Sequence, residues 1–378
     1  MAGALDGIIV ADFSRVLAGP LCTMHLADMG ATVIKVERPD GGDDTRHWPP
    51  YLDDGTSTYY ASINRNKQSV TLDLSNDADL AMAKTLAQRA DVMIENFRPG
   101  MLESFGLGYD AVRPSNPGLI YCSISGFGST GDGADMPGFD FLVQGMGGLM
   151  SITGPADGEP YRVGVAMVDV LAGLHALAGV LAALLARDRN DGVGQKVEIS
   201  LMSSLLAGMV NASAASLLAG DPNRAGNRHA SVAPYEVFHA ADEPFILATG
   251  NDRQYRRLCE VIEAPEMADD PRFVTNRARV KNIVACAKLI NEKLAAKRAR
   301  EWIALFLDAR VPAGPINTLS EAFADAERLG LEPVVEVDGM RLPRAPFTFS
   351  ATPVVVKNRP PLLGEDSVEI RRWLASDA

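Results

Sequence analysis

Asp169 stands where carboxylates are rare. It is the only acid in residues 163–187, VGVAMVDVLAGLHALAGVLAALLAR, and the closing Arg187 is the only Lys or Arg there. An Asp at the head of such an apolar helix is either its N-cap or a reactive group held in a dry pocket. A desolvated carboxylate can act as a nucleophile or base in a way a solvated one cannot. Asp is a preferred capping residue, so position alone leaves both readings open.

A second constellation is cationic. Arg38 follows the β-rich run TVIKVE, Arg46 closes the loop PDGGDDTR, and NRNK places Arg65 and Lys67 just before another strand. ENFRPG sets Asn96, Phe97 and Arg98 at the end of a further strand. Ligands of open parallel sheets sit outside the carboxyl ends of the strands, so cations gathered there point to a polyphosphate ligand; a solvated charged rim is the plain alternative. Glu37 sits where an NAD-binding acid would, but the first loop reads SRVLAGPLC and lacks the GxGxxG glycines. The five histidines and four cysteines show no metal-ligand spacing, and no GxSxG elbow occurs, so no metal is expected and a serine hydrolase is disfavoured. Glycine-rich loops at SGFGSTGDGADMPGFD, QGMGG and TGND could bring backbone N–H groups to an oxyanion or thioester oxygen, although each is most often only a turn.

The elements that must position these groups alternate. Strands at 7–14, 32–37, 69–74, 91–97 and 118–128 are separated by helical stretches, which implies βαβ units and a mostly parallel sheet. Residues 163–220 read as two long Ala/Gly/Leu/Met-rich helices joined by RDRNDGVGQ. The strands YEVFHA and PFILATG with three helical stretches then form a different unit, and short strands and the amphipathic SVEIRRWLAS close the chain. The expectation is a large α/β domain from both chain ends (1–220 and 325–378) with a small α+β domain at 221–324. The 378 residues are 47% hydrophobic with a net charge of −12, a globular composition that argues against nucleic-acid binding. The apolar run 170–186 is better read as a buried helix than as a membrane span. Without a signal-peptide pattern, and with scattered cysteines, the expected compartment is the cytoplasm.

Taken together, ADFSRVLAGP, GATVIKVERPDGGDDTR, NRNKQSVTLDL, DVMIENFRPG, ISGFGSTG, QGMGGLMSITG, GVGQKVEISLM, APYEVF, TGNDRQYRRLC, PAGPIN and PLLGE resemble the class III CoA-transferase family, which also holds carnitine and bile-acid CoA-transferases and 2-methylacyl-CoA racemases. The matches run in family order from residue 11 to residue 365. The resemblance implies a Rossmann-like large domain, a small central domain and an interlocked, ring-like homodimer. It places the catalytic carboxylate on Asp169, which would attack an acyl-CoA thioester to give a mixed anhydride and then an aspartyl-CoA thioester. It implies CoA contacts at Val16, Arg38, Leu72, Asn96 and Phe97, with Arg98, Arg46 or Arg65 replacing two often-basic positions that read Ser104 and Pro137 here. No tightly bound cofactor is implied; a CoA thioester is the substrate, with a carboxylic acid as acceptor. The pocket positions Phe139 and Asp140 bear on reaction type. Racemases of the family carry a GHD motif where this chain reads PGFDF, and Phe cannot move a proton. Transfer to a small dicarboxylate or short-chain acid is therefore expected over racemisation, with a silent CoA-binding homologue as a third reading.

Overall fold

The structure is a computed structural model describing residues 3–376. Its chain forms two compact units, one made of the residues to Leu149, Val163–Ser213 and those from Glu332 onward, the other of Met150–Arg162 and Ala214–Leu331.

The first unit is organised by a sheet of β1 (Ile9–Asp12), β2 (Thr32–Glu37), β3 (Lys67–Thr71), β4 (Val92–Glu95), β5 (Ile120–Ser125) and β6 (Lys196–Ser200). The spatial order is β3-β2-β1-β4-β5-β6 and every pairing is parallel. That is the doubly wound order, whose switch point lies between β1 and β4. Successive side chains point to opposite faces, and the two cores follow from this. Val10, Val33 and Ile94 meet Cys22 and Leu26 of the Ala18–Asp28 helix and Ala172, Ala176 and Val180 of the Met167–Arg189 helix. Ala11, Ile34 and Met93 face the Asp77–Arg89 helix through Leu86 and the C-terminal Ser367–Ala375 helix through Ile370 and Leu374.

Met167–Arg189 is long and apolar enough to cross a membrane, with a mean hydropathy of 2.0, but it lies on the sheet and contributes Val168, Ala172, Ala176 and Val180 to the core. Its contact with the Ala18–Asp28 helix depends on Gly173, where a Cβ would come within 2.6 Å of the Ala18 carbonyl oxygen. The expectation of two long helices over 163–220 is corrected here. After the first helix the chain makes strand β6 and then two short helices, Leu201–Gly208 and Asn211–Leu218. Val197 and Ile199 explain the strand: β-branched residues in alternation complete the sheet edge beside β5. A hairpin of β10 (Val334–Val337) and β11 (Met340–Pro343) turns through Asp338 and Gly339, both at positive φ, as a type I′ turn requires.

The second unit holds an antiparallel sheet of β7 (Tyr235–His239), β8 (Pro244–Ala248) and β9 (Ala313–Pro315). Phe238, Phe245, Trp302 and Phe306 form its core. Arg279, fully buried, stacks on Tyr255 and donates to the Ala233 and Phe273 carbonyls.

Candidate active site

The Met167–Arg189 helix starts without a capping side chain of its own, since its N-cap residue is Ala166. The cap arrives from elsewhere. Asp140, the first residue of the Asp140–Met146 helix, accepts the Val168 N–H at 2.7 Å and the Asp169 N–H at 3.3 Å through Oδ1. Its Oδ2 accepts from Gln144 Nε2 at 2.7 Å, and buried Gln144 in turn accepts the Val163 N–H at 2.9 Å. Gly126 and Gly138 anchor this arrangement at the end of β5. A Cβ on Gly138 would lie 2.5 Å from the Gly126 Cα, so only two glycines allow the crossing that precedes Phe139 and Asp140.

With the cap taken by Asp140, the Asp169 carboxylate is left over. Burial raises its pKa from 3.8 to about 7, with the neighbouring Asp140 charge adding to the effect. Among the described residues no donor bonds its oxygens. Tyr59, on the Thr58–Ile63 helix, reports the same field: burial pushes it up to about 12, helped by Asp169, then Asp140, then Asp43. Its ring meets Trp48 edge-on at 5.1 Å. A carboxylate with a pKa near neutrality beside a second acid suits acyl capture or proton transfer. Phe139 is 70% exposed and points away from the core.

A second cluster sits at the carboxyl ends of β1, β2 and β4. Phe13, Arg15, Lys35, Arg38, Asp43 and Phe97 are among the residues lining a cavity of ≈90 Å³ there. Val16 adjoins it at a φ of 67°, its N–H held by Asp43. Asn96 bonds the Arg15 backbone twice, and the Arg15 guanidinium lies 5.4 Å from the centre of the Phe97 ring. Arg38 is open to solvent and paired with Asp44 at 2.8 Å.

Val16, Arg38, Asn96 and Phe97 are thus brought together. Leu72 is instead buried in the second core, with its N–H on the Glu37 carbonyl, so only its backbone is near the cluster. Arg98 is solvent-exposed and turned toward Asp135, whose carbonyl it meets at 3.4 Å. The other cations of the sequence pattern are turned inward. Arg46 grips Glu37 at 2.7 Å, Arg65 grips Asp28 at 2.7 Å, and Lys67 meets Asp12 at 3.1 Å, all with little or no solvent access. Burial dominates at Lys67 and lowers it to about 8. Tyr59, Lys35 and Asp43 were not singled out from the sequence. Asp43 carried a usable signal, because DDT is an Asx-type cap and Asp43 does accept the Thr45 N–H.

Comparison with known proteins shows the family of the chain. The pattern of CoA-transferase family III matches residues 5–367. The chain is 43% identical to a succinate–glutarate CoA-transferase of Agrobacterium fabrum, covering 97% of this chain and 94% of that one. It is 39% identical to an acetyl-CoA:oxalate CoA-transferase of Acetobacter aceti over 92% of this chain and 90% of the relative. The crystal structure of a CAIB/BAIF family protein from Brucella suis superposes with a TM-score of 0.89 at 39% identity, covering 99% of this chain and 100% of that one.

Proposed function

The chain belongs to CoA-transferase family III and is a CoA-transferase, and we propose that Asp169 carries the transfer as its nucleophile. An Asp169 oxygen attacks the donor thioester carbonyl; the C–S bond breaks, giving a mixed anhydride and CoA thiolate. The thiolate attacks the Asp169 carbonyl carbon, releasing the donor acid as carboxylate and leaving an aspartyl-CoA thioester. The acceptor carboxylate repeats the exchange in reverse: it forms a second anhydride, and the thiolate then takes the acceptor acyl group and frees Asp169. No net proton is consumed.

The observation that carries this reading is the division of labour between two acids. Asp140 does the capping, which leaves Asp169 unbonded with a pKa of about 7. A basic carboxylate is the better nucleophile, and a desolvated one keeps water from an anhydride. Val16, Arg38, Asn96, Phe97 and the Leu72 backbone would hold the CoA nucleotide, with Arg98 the most accessible extra cation. Phe139 and Asp140 would border the acyl pocket. The racemase reading is weaker, because Phe139 has no exchangeable proton and Asp140 is committed to the helix cap.

Small dicarboxylic acids are the proposed substrates, supported by the succinate, glutarate and oxalate specificities in the relatives' names. The proposed assembly is an interlocked homodimer. Its support is apolar surface on the first unit, where Val210 is 70% and Leu185 52% exposed. The four unpaired, buried cysteines suit a cytoplasmic enzyme.

The test is a transfer assay with acyl-CoA donors and a panel of carboxylic acids, run in D2O. The expected result is new CoA esters without deuterium at the α-carbon, and at least about a 10³-fold loss of rate in Asp169→Asn. Deuterium uptake without CoA transfer would replace this reading with isomerisation.

A further inference from the structure

The proposed CoA cluster contains one residue in an unfavourable conformation. Val16 has a φ of 67°, and for a β-branched residue the left-handed region is a true outlier. Such a conformation persists only where the surroundings over-determine it. Three bonded groups do so here, on consecutive residues. The Ser14 carbonyl accepts from Lys35 Nζ at 2.9 Å. The Arg15 N–H donates to Asn96 Oδ1 at 2.9 Å, and Asn96 Nδ2 donates back to the Arg15 carbonyl at 2.7 Å. The Val16 N–H is shared by both oxygens of Asp43 at 3.3 Å. Asp43 is itself fixed by Lys35 at 2.9 Å, and its own N–H donates to Glu37 at 2.9 Å.

These restraints have a place in the fold. Residues 14–16 follow β1 and Asn96 follows β4, so the Asn96–Arg15 clasp spans the switch point of the sheet. In doubly wound folds that crevice receives the ligand. Here a doubly bonded carboxamide crosses it. Lys35 and Asp43 have side chains 1% exposed, so they offer a ligand almost no surface. The Asn96 carboxamide spends its nitrogen and oxygen on the Arg15 backbone. What the turn leaves for a ligand is the exposed Arg15 guanidinium, which lies over Phe97 and 3.4 Å from Asp44.

On the reading that this cluster binds CoA, we infer that Asn96 and the Lys35–Asp43 pair are positioning residues. They hold Val16 left-handed so that the exposed Arg15 side chain and the half-buried Val16–Leu17 turn form a ready-made wall for the nucleotide. Asn96 acts on CoA through Arg15 and Val16 rather than by touching it with its side chain.

Glycine at position 16 supplies the decisive test, because it adopts positive φ without restraint. CoA itself would be titrated by calorimetry against wild type, Asn96→Ala, Val16→Gly and the double variant, with melting temperatures recorded for all four. Asn96→Ala is expected to weaken CoA binding about tenfold in the wild-type background and about twofold or less in the Val16→Gly background. The KM for acyl-CoA should rise by the same factor while the KM for the acceptor acid stays put, a split that general destabilisation would not produce. Asn96→Asp, which keeps the acceptor and loses the donor, must show the same background dependence and covers the case in which alanine unsettles the fold. An equal loss in both backgrounds, or no loss in either, would overturn the inference. A wild-type protein that performs transfer but binds CoA independently of residues 15, 38 and 97 would overturn the underlying placement of the site.

Discussion

Asp169→Asn should stabilise the protein, and increasingly so as pH rises. The carboxyl is proton-binding in the fold, with a pKa of about 7 against an ordinary 3.8. Between those values the folded state holds a proton that the unfolded state has released, so stability falls as pH rises through that window and levels off above it. At 1.36 kcal/mol per pH unit, the penalty grows from about 1.5 kcal/mol near pH 5 to about 4 kcal/mol near pH 8. Asp169 is only partly buried, and solvent screening roughly halves both figures. Asparagine is nearly isosteric and carries no charge, so it removes the penalty. Urea unfolding of both proteins near pH 5 and near pH 8 should show the advantage of Asp169→Asn widening by about 1 kcal/mol or more. An advantage that stays constant, or shrinks at the higher pH, would refute the claim that burial and Asp140 hold this carboxylate's pKa high.

Asp140 supports further predictions. Asp140→Ala removes the cap of the Met167–Arg189 helix and should cost about 1 kcal/mol in denaturant unfolding. Asp140→Asn keeps a capping oxygen but deletes the charge, so the pH at which CoA transfer reaches half its maximum should move down from near 7, as read from a pH–rate profile. Arg65→Met strands the buried Asp28 carboxylate and should cost about 3–5 kcal/mol by the same unfolding assay. Gly173→Ala drives a Cβ against the Ala18 carbonyl and should lower stability by about 1–3 kcal/mol, visible as a reduced melting temperature.

Much of the α/β frame could be read along the chain, because β1, β2, β4 and β5 are short apolar runs punctuated by helices. Strand β6 was hidden by its neighbours. KVEIS follows an Ala/Leu-rich helix and precedes another, and its strand character emerges only beside β5. Asp169 was recognisable as unusual, yet its two roles could not be separated locally. The acid that relieves it of capping lies 29 residues earlier in the chain, and the bond exists only once the two helices meet. The same reasoning covers the cations. Arg46, Arg65 and Lys67 look like a basic rim in sequence, but their carboxylate partners Glu37, Asp28 and Asp12 sit on other elements and draw them inward. Asn96 reads as a ligand contact in sequence, and nothing local there shows that its carboxamide also joins two loops that are neighbours only at the switch point.

If Asp169 is the nucleophile, it becomes covalently acylated during transfer. The most direct test is to incubate the protein with a donor acyl-CoA, trap with hydroxylamine or borohydride, and map the product by peptide mass spectrometry. A CoA-dependent modification is expected on the peptide bearing Asp169, absent in Asp169→Asn. Sustained CoA transfer by Asp169→Asn, or a modification that maps to another residue, would contradict that role.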